Sequence, residues 1–324
     1  MSKSSDLVRG KLLSVLANNE FHSGEMLGAT LGISRTSISN HIKVLSLLGL
    51  DIYSVTGKGY CLAQPLTLLN LDEIRASLTI SHISDIEILN VIGSTNQYLK
   101  DKSISIQNGH TCLAEAQTAG RGRHGRKWES PYAASLYLSM HWSFDGGYSA
   151  LNGLSLAVGV AIVEALNQCE VQDIQLKWPN DIYANGKKLA GVLIEVEGQI
   201  GGGCQAIIGI GINVSLPNIV NEIGQPWTDL GQLSHPLVNR NILAGTLISE
   251  LSKGLTLFEN DGLGPFINKW RALDVYSNQA IKLIMGKQII FGINKGIDAN
   301  GAILLETEQG IKAYHGGEVS VRSV

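Results

Sequence analysis

The chain is short of paired cysteines, charge and long apolar runs, and each shortage narrows what it can be. Its 324 residues include four cysteines, Cys61, Cys112, Cys169 and Cys204, far apart and never in C-x-x-C spacing. That argues against a disulfide framework or a zinc ribbon and reads as reduced, buried thiols. The longest apolar candidate, 154–163, is closed by Glu164 and falls short of the about 20 residues that a membrane span needs. The first ten residues, MSKSSDLVRG, lack the apolar stretch of a signal peptide, so a cytoplasmic protein without a membrane partner is expected. Charged residues are 16% of the chain and hydrophobic ones 44%, a balance that favours a buried core over disorder. A net charge of −3 speaks against a general nucleic-acid binder, so any DNA contact must be local. The length predicts two or three domains.

Residues 1–65 read as a compact helical unit. Leu7, Val8, Leu12, Val15 and Leu16 recur at helical spacing, and a short second helix is predicted over 24–31. Gly32-Ile33 makes a tight turn, and Ser34 is the N-cap of a third helix with Ile38, Ile42 and Leu45 facing the core. Segments 51–55 and 60–62 flank Thr56-Gly57-Lys58-Gly59 as a hairpin, which completes a winged helix-turn-helix. The outer face of the third helix holds Arg35, Thr36, Ser37, Ser39, Asn40, His41 and Lys43. A solvated surface would look similar, but this one carries hydrogen-bonding groups with few acids, as base and phosphate contacts need. Six basic and four acidic residues give the unit +2, against −5 for the remainder. Arg35, Thr36, Ser37, Ser39, Asn40, Lys43 and, in the wing, Lys58 are therefore the candidate DNA contacts.

Gln64-Pro65 is the expected hinge. Between 66 and 273, strands are predicted at 110–117, 135–144, 173–178, 189–196 and 205–214, with helices at 94–101, 148–168 and 239–260. Strands that follow one another without intervening helices imply a mixed or antiparallel sheet in an α+β layout. From 274 to 324, segments 280–285, 288–293, 301–306 and 310–314 are punctuated by Gly286-Lys287 and Asn300-Gly301 and read as a small β-barrel.

The stretch TAGRGRHGRKWESP, residues 118–131, places Arg121, Arg123, Arg126 and Lys127 within seven positions. Gly120 to Gly125 also spells G-x-G-x-x-G, but no helix follows: Trp128, Ser130 and Pro131 lead into another strand, so a dinucleotide fingerprint is rejected. What remains is a glycine-rich, guanidinium-rich loop between two strands. Its like charges repel, so it should stay mobile until a polyanion such as a nucleotide triphosphate gathers them. Trp128 either stacks on a base or belongs to the core.

Three further segments carry polar groups in unusual density. Gly93-Ser94-Thr95-Asn96-Gln97 fits a capping box and puts extra donors and acceptors at a helix start. Lys177-Trp178-Pro179-Asn180-Asp181 ends a strand, where a plain Asn-Asp turn is the simpler reading. Lys188 opens Lys188-Leu189-Ala190-Gly191 and could neutralise phosphate charge. Gly209-Ile210-Gly211-Ile212-Asn213 is a strand whose glycines admit a ligand close to the backbone.

STNQYL at 94–99, AGRGRHGRKW at 119–128, KWPND at 177–181, KLAG at 188–191 and GIGIN at 209–213 occur together in this order. With the N-terminal DNA-binding unit and the tail, they make the whole chain resemble the bifunctional biotin–protein ligases that also repress the biotin operon. The resemblance implies a central domain like that of class II aminoacyl-tRNA synthetases and an SH3-like tail. It implies ATP with Mg²⁺, biotin as substrate, and biotinyl-5'-AMP as both intermediate and corepressor. The partners implied are the biotin carboxyl carrier protein of acetyl-CoA carboxylase, operator DNA of biotin genes, and a second copy of the chain once biotinyl-AMP is bound. The vitamin and adenylate are assigned to Ser94, Thr95, Asn96, Gln117, Arg121, Gly122, Arg123, Lys188, Gly209 and Gly211. The ATP end falls to Arg126, Trp128, Lys177, Asn180 and Asn213. Arg123, Lys188 and Asp181 are the catalytic candidates, with Asp181 either holding metal or orienting the acceptor amine. His124 stands where relatives often have another arginine.

A ligase of this kind runs two steps. The biotin carboxylate attacks the α-phosphate of ATP, and an acceptor lysine then attacks the mixed anhydride and releases AMP. A lipoate–protein ligase and a non-catalytic, ligand-responsive repressor are the alternatives; STNQ and GRGRHGR favour biotin over lipoate.

Overall fold

The computed structural model describes residues 3–81, 84–198, 202–217, 224–234, 236–317 and 319–324. Helices α1 (Lys3–Leu16), α2 (Gly24–Leu31) and α3 (Arg35–Leu47) bury Leu12, Leu13, Leu16, Leu27, Ile38, Ile42 and Leu45 in one cluster. The hydroxyl of Ser23 caps α2 by accepting from the Met26 N–H, and that of Ser34 caps α3 by accepting from the Ser37 N–H. Between them Gly32 turns at φ +68°, a left-handed conformation that glycine adopts without cost. Strands β1 (Ile52–Val55) and β2 (Gly59–Leu62) pair antiparallel as the wing. This is the winged helix-turn-helix that the pattern predicts. Its core does not end at residue 65: Ala116, Tyr132 and Ala133 belong to the same cluster, and the Tyr132 N–H donates to the Leu48 carbonyl at 3.0 Å. The segment at Gln64-Pro65, expected to act as a hinge, joins two units that share one apolar core.

The central region contains α4 (Leu71–Ala76), β3 (Ile86–Ile92), α5 (Thr95–Lys100), β4 (Thr111–Gln117), β5 (Ser135–Phe144) and α6 (Leu154–Gln168). It continues with β6 (Ile174–Lys177), β7 (Asp181–Ala184), β8 (Lys187–Gly198), β9 (Cys204–Asn213), α7 (Arg240–Asp261) and α8 (Ile267–Leu273). The seven strands form one sheet in the order β3-β4-β5-β9-β8-β7-β6, parallel between β3 and β4 and antiparallel elsewhere. The α+β, mixed-sheet expectation holds. Along β9 the alternation separates two faces. Ile208, Ile210 and Ile212 join the core cluster with α6 and α7, while Gly209, Gly211 and Asn213 line a cleft on the other side.

The helix predicted over 148–168 is two pieces. A 3₁₀ turn at Tyr148–Leu151 is separated from α6 by Gly153 at φ +81°, where a Cβ would meet Leu263. By composition the segment Tyr148–Gln168 could cross a membrane, but α6 is buried on nearly every side against the sheet, α7 and α8. Such a helix is apolar all round because it is a core element. Four central elements, α4, β3, β7 and α8, were not anticipated. α4, β7 and α8 are only four to seven residues long, and the run Ile86–Ile92 is interrupted by Asn90.

The tail has strands β10 (Ala280–Met285), β11 (Gln288–Ile297), β12 (Ile303–Thr307), β13 (Gly310–Tyr314) and β14 (Val319–Ser323). They form an antiparallel sheet in the order β13-β12-β11-β10-β14 around Ile281, Leu283, Ile303, Leu305, Val319 and Val321. This agrees with a small barrel and adds β14, which the turn pattern did not announce.

One buried ion pair holds the front of α7 to the sheet. Arg240 donates to Glu115 at 2.8 Å and to the carbonyls of Thr67 and Ser135, while Glu115 also accepts from the Leu69 N–H; both side chains are 3% exposed. Removing one partner leaves an uncompensated charge in the core. Arg240→Ala should therefore lower the urea unfolding free energy by about 3–5 kcal/mol; a loss under about 1 kcal/mol would mean that water reaches Glu115.

Candidate functional site

A cleft of about 510 Å³ opens where β8 and β9 face the arginine loop. Its floor is shaped by glycine. Gly191 lies opposite Gly211, and Leu193 opposite Gly209. A Cβ on Gly211 would come within 2.6 Å of the Trp128 indole, and one on Gly209 would overlap the Asn96 amide. The glycines thus make one notch for Trp128 and another for Asn96. The two readings of Trp128 resolve into an intermediate position. The ring rests on the floor, partly exposed, with Lys188 Nζ 5.2 Å from its centroid and its own Nε1 buried without a partner among the described residues.

At one end of the cleft, α5 presents buried polar groups. The Ser94 hydroxyl caps the helix. Gln117 Oε1 accepts from the Thr95 N–H at 2.9 Å and from Thr95 Oγ1 at 3.2 Å, and Gln117 Nε2 donates to Ser130. Ser139 Oγ lies 2.7 Å from Thr95 Oγ1 and 2.6 Å from Asn96 Oδ1. Asn96 Nδ2 donates to Glu195 at 2.8 Å. Ser139 and Glu195 escaped the sequence reading because they lie outside the motifs and meet α5 only through the sheet.

At the other end, cations gather around one carboxylate. Lys188 Nζ sits 2.6 Å from Asp181 Oδ1, with both side chains largely buried. Of the two roles left open for Asp181, the geometry adds a third: it fixes the Lys188 ammonium. Lys177 Nζ donates to the Tyr183 hydroxyl at 2.9 Å and faces the rings of Tyr183 and Tyr276. Burial lowers its pKa from 10.5 to about 8; Asp181 opposes the shift, while Arg322, Lys188 and Arg126 reinforce it. Arg322 of β14 lines the cleft and was missed by sequence reasoning, since it belongs to the unannounced strand. Asn180 accepts from Arg123 at 3.1 Å and donates to the Val192 carbonyl. Asn213 donates to the Thr228 carbonyl, so its amide holds backbone while its edge lines the cleft.

The loop lies closed over the cleft. The Gly122 N–H donates to the Arg126 carbonyl at 2.7 Å and the Trp128 N–H to Gly120 at 2.9 Å, making a tight hairpin with Arg121 opposite Lys127. At its tip His124 adopts φ 57°. Counter-groups come from distant elements. Arg121 pairs with Glu195 at 3.1 Å, Arg123 donates to Asn180 and to the carbonyls of Gly317 and Val319, and Lys127 pairs with Glu129. Burial pulls the Arg123 pKa down and Asp181 partly restores it. Arg126 and Gly122 line the cleft, Arg126 exposed.

The DNA candidates fall on one face of α3 and in the wing. Arg35, Thr36, Asn40, Lys43 and Lys58 are exposed; Ser37 and Ser39 are half-buried. The Ser37 hydroxyl is 2.9 Å from that of Ser34, Arg35 lies 3.6 Å from Glu25, and Lys58 stacks over Phe21.

Three family models match the chain: Biotin/lipoate A/B protein ligase family over residues 88–213, Biotin protein ligase C terminal domain over 276–322, and HTH domain over 9–61. The bifunctional ligase/repressor BirA of Escherichia coli (strain K12) is 46% identical over 97% of this chain and 97% of its own length. The protein of the same name from Bacillus subtilis (strain 168) is 31% identical over 94% and 95%. A biotin protein ligase from Aquifex aeolicus, solved in complex with biotin and ATP, superposes with a TM-score of 0.66 at 31% identity, covering 74% of this chain and 99% of that one.

The glycine notch yields a direct expectation. Gly211→Ala should displace Trp128 and loosen the loop by about 1–3 kcal/mol, the usual cost of overpacking. Trypsin should then cut within 121–127 about fivefold faster or more; an unchanged cleavage rate would show that the loop does not depend on the notch.

Proposed function

This chain belongs to the family of bifunctional biotin ligase/repressors, and from that premise we propose how its residues carry the two activities. The protein is an ATP-dependent biotin ligase. It makes biotinyl-5'-AMP from biotin and ATP, transfers biotin to a lysine of the biotin carboxyl carrier protein, and represses transcription through its N-terminal domain. The domains are read as 1–65, 66–273 and 274–324.

The vitamin's uncharged ring system occupies the α5 end, where Ser94, Thr95, Asn96 and Gln117 offer buried donors and acceptors. Its carboxylate then points toward Lys188. In the first step a carboxylate oxygen attacks the α-phosphate and pyrophosphate leaves. Two anions must approach each other, so the site needs positive charge that is already in place. Lys188, held by Asp181 at 2.6 Å, sits beside the indole on which the nucleotide base rests. Lys177, Arg126 and Arg322 screen the departing phosphates. Among the described residues no three His, Cys, Asp or Glu side chains converge on a cation site. Mg²⁺ therefore fits as an ion carried by the triphosphate, with Asp181 as the candidate protein ligand. Bound there it would neutralise phosphate charge. In the second step the acceptor lysine attacks the anhydride carbonyl and AMP leaves. Arg123 and Arg121 keep the loop over the intermediate, which excludes water from the anhydride.

The same intermediate serves as corepressor. Arg35, Thr36, Ser37, Ser39, Asn40, Lys43 and Lys58 contact operator DNA of biotin genes, and a homodimer formed with biotinyl-AMP bound spans a two-part operator in the cytoplasm. Linkage requires that the ligand favour the dimerising form.

The single observation behind the catalytic reading is a cleft with a neutral polar end and a cationic end beneath one closed arginine loop. Biotin-dependent exchange of pyrophosphate into ATP tests it. Exchange with biotin supports the reading; exchange with lipoate alone makes the protein a lipoate ligase, and no exchange with either leaves a ligand-responsive repressor.

If Lys177 acts as an ammonium, the exchange rate should fall as pH climbs through about 8, because the folded-state pKa lies there rather than at 10.5. Lys177→Arg keeps its charge and should remove that limb of the profile. A decline that persists unchanged in the arginine variant would assign it to another group.

A further inference from the structure

We propose that Glu87 is a positioning residue for biotin binding: it clamps α5 to the edge of the sheet and so holds Thr95 and Asn96 in place, an inference that rests on the ligase reading above. α5 is only six residues long, well short of the about 12–15 that a helix needs to persist by itself. Of its residues Thr95, Asn96 and Leu99 are buried, and Leu99 is the apolar one among them. It packs in a small cluster with Cys112 and Ile207. One leucine gives α5 little grip, while the other two buried side chains are polar groups offered to the vitamin. The position of the helix therefore depends on polar anchors. At its start these are Gln117, which bonds Thr95, and Ser139, which bonds Thr95 and Asn96.

Glu87 supplies the anchor at the other end. On β3, Ile86 and Ile88 pack into the main core, while Glu87 and Leu89 face α5. Glu87 Oε2 accepts from the Tyr98 hydroxyl at 2.6 Å, and Lys102 Nζ donates to the two carboxylate oxygens at 2.8 and 3.1 Å. His110 Nε2 lies 2.8 Å from Oε1. Lys102 Nζ also donates to the Tyr98 hydroxyl at 2.6 Å. Burial by itself would raise the Glu87 pKa, but hydrogen bonds from Lys102, Tyr98 and His110 bring it down to about 2. The acceptor thus stays ionised at neutral pH. The link to the site is short: the Tyr98 N–H donates to the Ser94 carbonyl at 3.0 Å, so a fixed Tyr98 fixes the turn that carries Thr95 and Asn96. Glu87, Tyr98, Lys102 and His110 lie outside the cleft lining, and the clamp acts on the ligand through α5. Glu87 and Lys102 are 29% and 37% exposed, so solvent screens the pair and its effect is graded.

A polar site loses affinity when its groups drift from their places by about 0.5 Å. Thr95 and Asn96 meet the ring system, which does not react, so the loss falls equally on the ground and transition states. The KM for biotin then rises while kcat holds.

The test uses the full chain and two readouts. In Glu87→Ala, hydrogen exchange at the amides of Tyr98 and Asp101, both donors within α5, should speed up about fivefold or more. In pyrophosphate exchange the same variant should raise the KM for biotin by a similar factor, with the KM for ATP and kcat near wild-type values. Tyr98→Phe deletes one hydroxyl and keeps the ring. It should move both readouts the same way by less, and it decides the matter if Glu87→Ala does not fold. Wild-type exchange at the two amides would overturn the clamp. So would faster exchange with an unchanged biotin KM, or a fall in kcat that leaves that KM where it was, the mark of a merely structural loss. A wild-type protein that exchanges no pyrophosphate would refute the ligase reading, and amide exchange in α5 together with the Kd of biotin from calorimetry would still judge the clamp.

Discussion

Like charges set the central constraint. Arg121, Arg123, Arg126 and Lys127 are pressed into seven positions and laid over a cleft that already holds Lys177, Lys188 and Arg322. Left alone, such a loop would stand open. It closes because its counter-groups sit on rigid elements: Glu195 on β8, Asn180 in the turn before β7, and the backbone edge of β14. The tail sheet thereby becomes part of the site. Its edge accepts from Arg123 while Arg322 lines the cleft near Lys177, so the cleft is complete only with the C-terminal unit in place.

Glycine supplies the room for this arrangement. Gly191, Gly209 and Gly211 remove side chains from the cleft face of β8 and β9, so an indole and an amide rest directly on backbone. The opposite face of the same strands carries isoleucines into the core. One strand thus serves packing on one side and recognition on the other. The loop's C-terminal root is also tied to the DNA-binding unit: Tyr132 bonds the end of α3, and Ala116 and Tyr132 lie in the core of the winged helix. The loop is therefore bracketed by residues of that core.

Much of this was legible in sequence wherever the cause is local. Ser34 caps α3 because its own neighbours need it, and the alternation around the wing is read over a few residues. The glycines of β9 and the arginine loop stand out by composition. What stayed hidden depends on long-range partners. Glu195, Ser139 and Arg322 are ordinary residues in ordinary strands until the sheet brings them to α5 or Lys188. The acid that compensates Arg121 stayed hidden because it is 74 residues away. Gln64-Pro65 looked like a hinge because a proline is visible in sequence and a shared core is not. The short elements α4, β7, α8 and β14 have too few residues to show a period, and tertiary contacts rather than propensity make them regular.

The account stands on the loop being held over the cleft by partners from the sheet and the tail. Hydrogen exchange at the backbone amides of Gly122 and Trp128, measured with biotin and ATP bound, addresses this directly. Both donate within the hairpin, so the account predicts exchange slowed well below that of an open chain in the wild-type protein and markedly faster in Arg123→Ala. Exchange at open-chain rates in the wild-type protein with both ligands bound would contradict it.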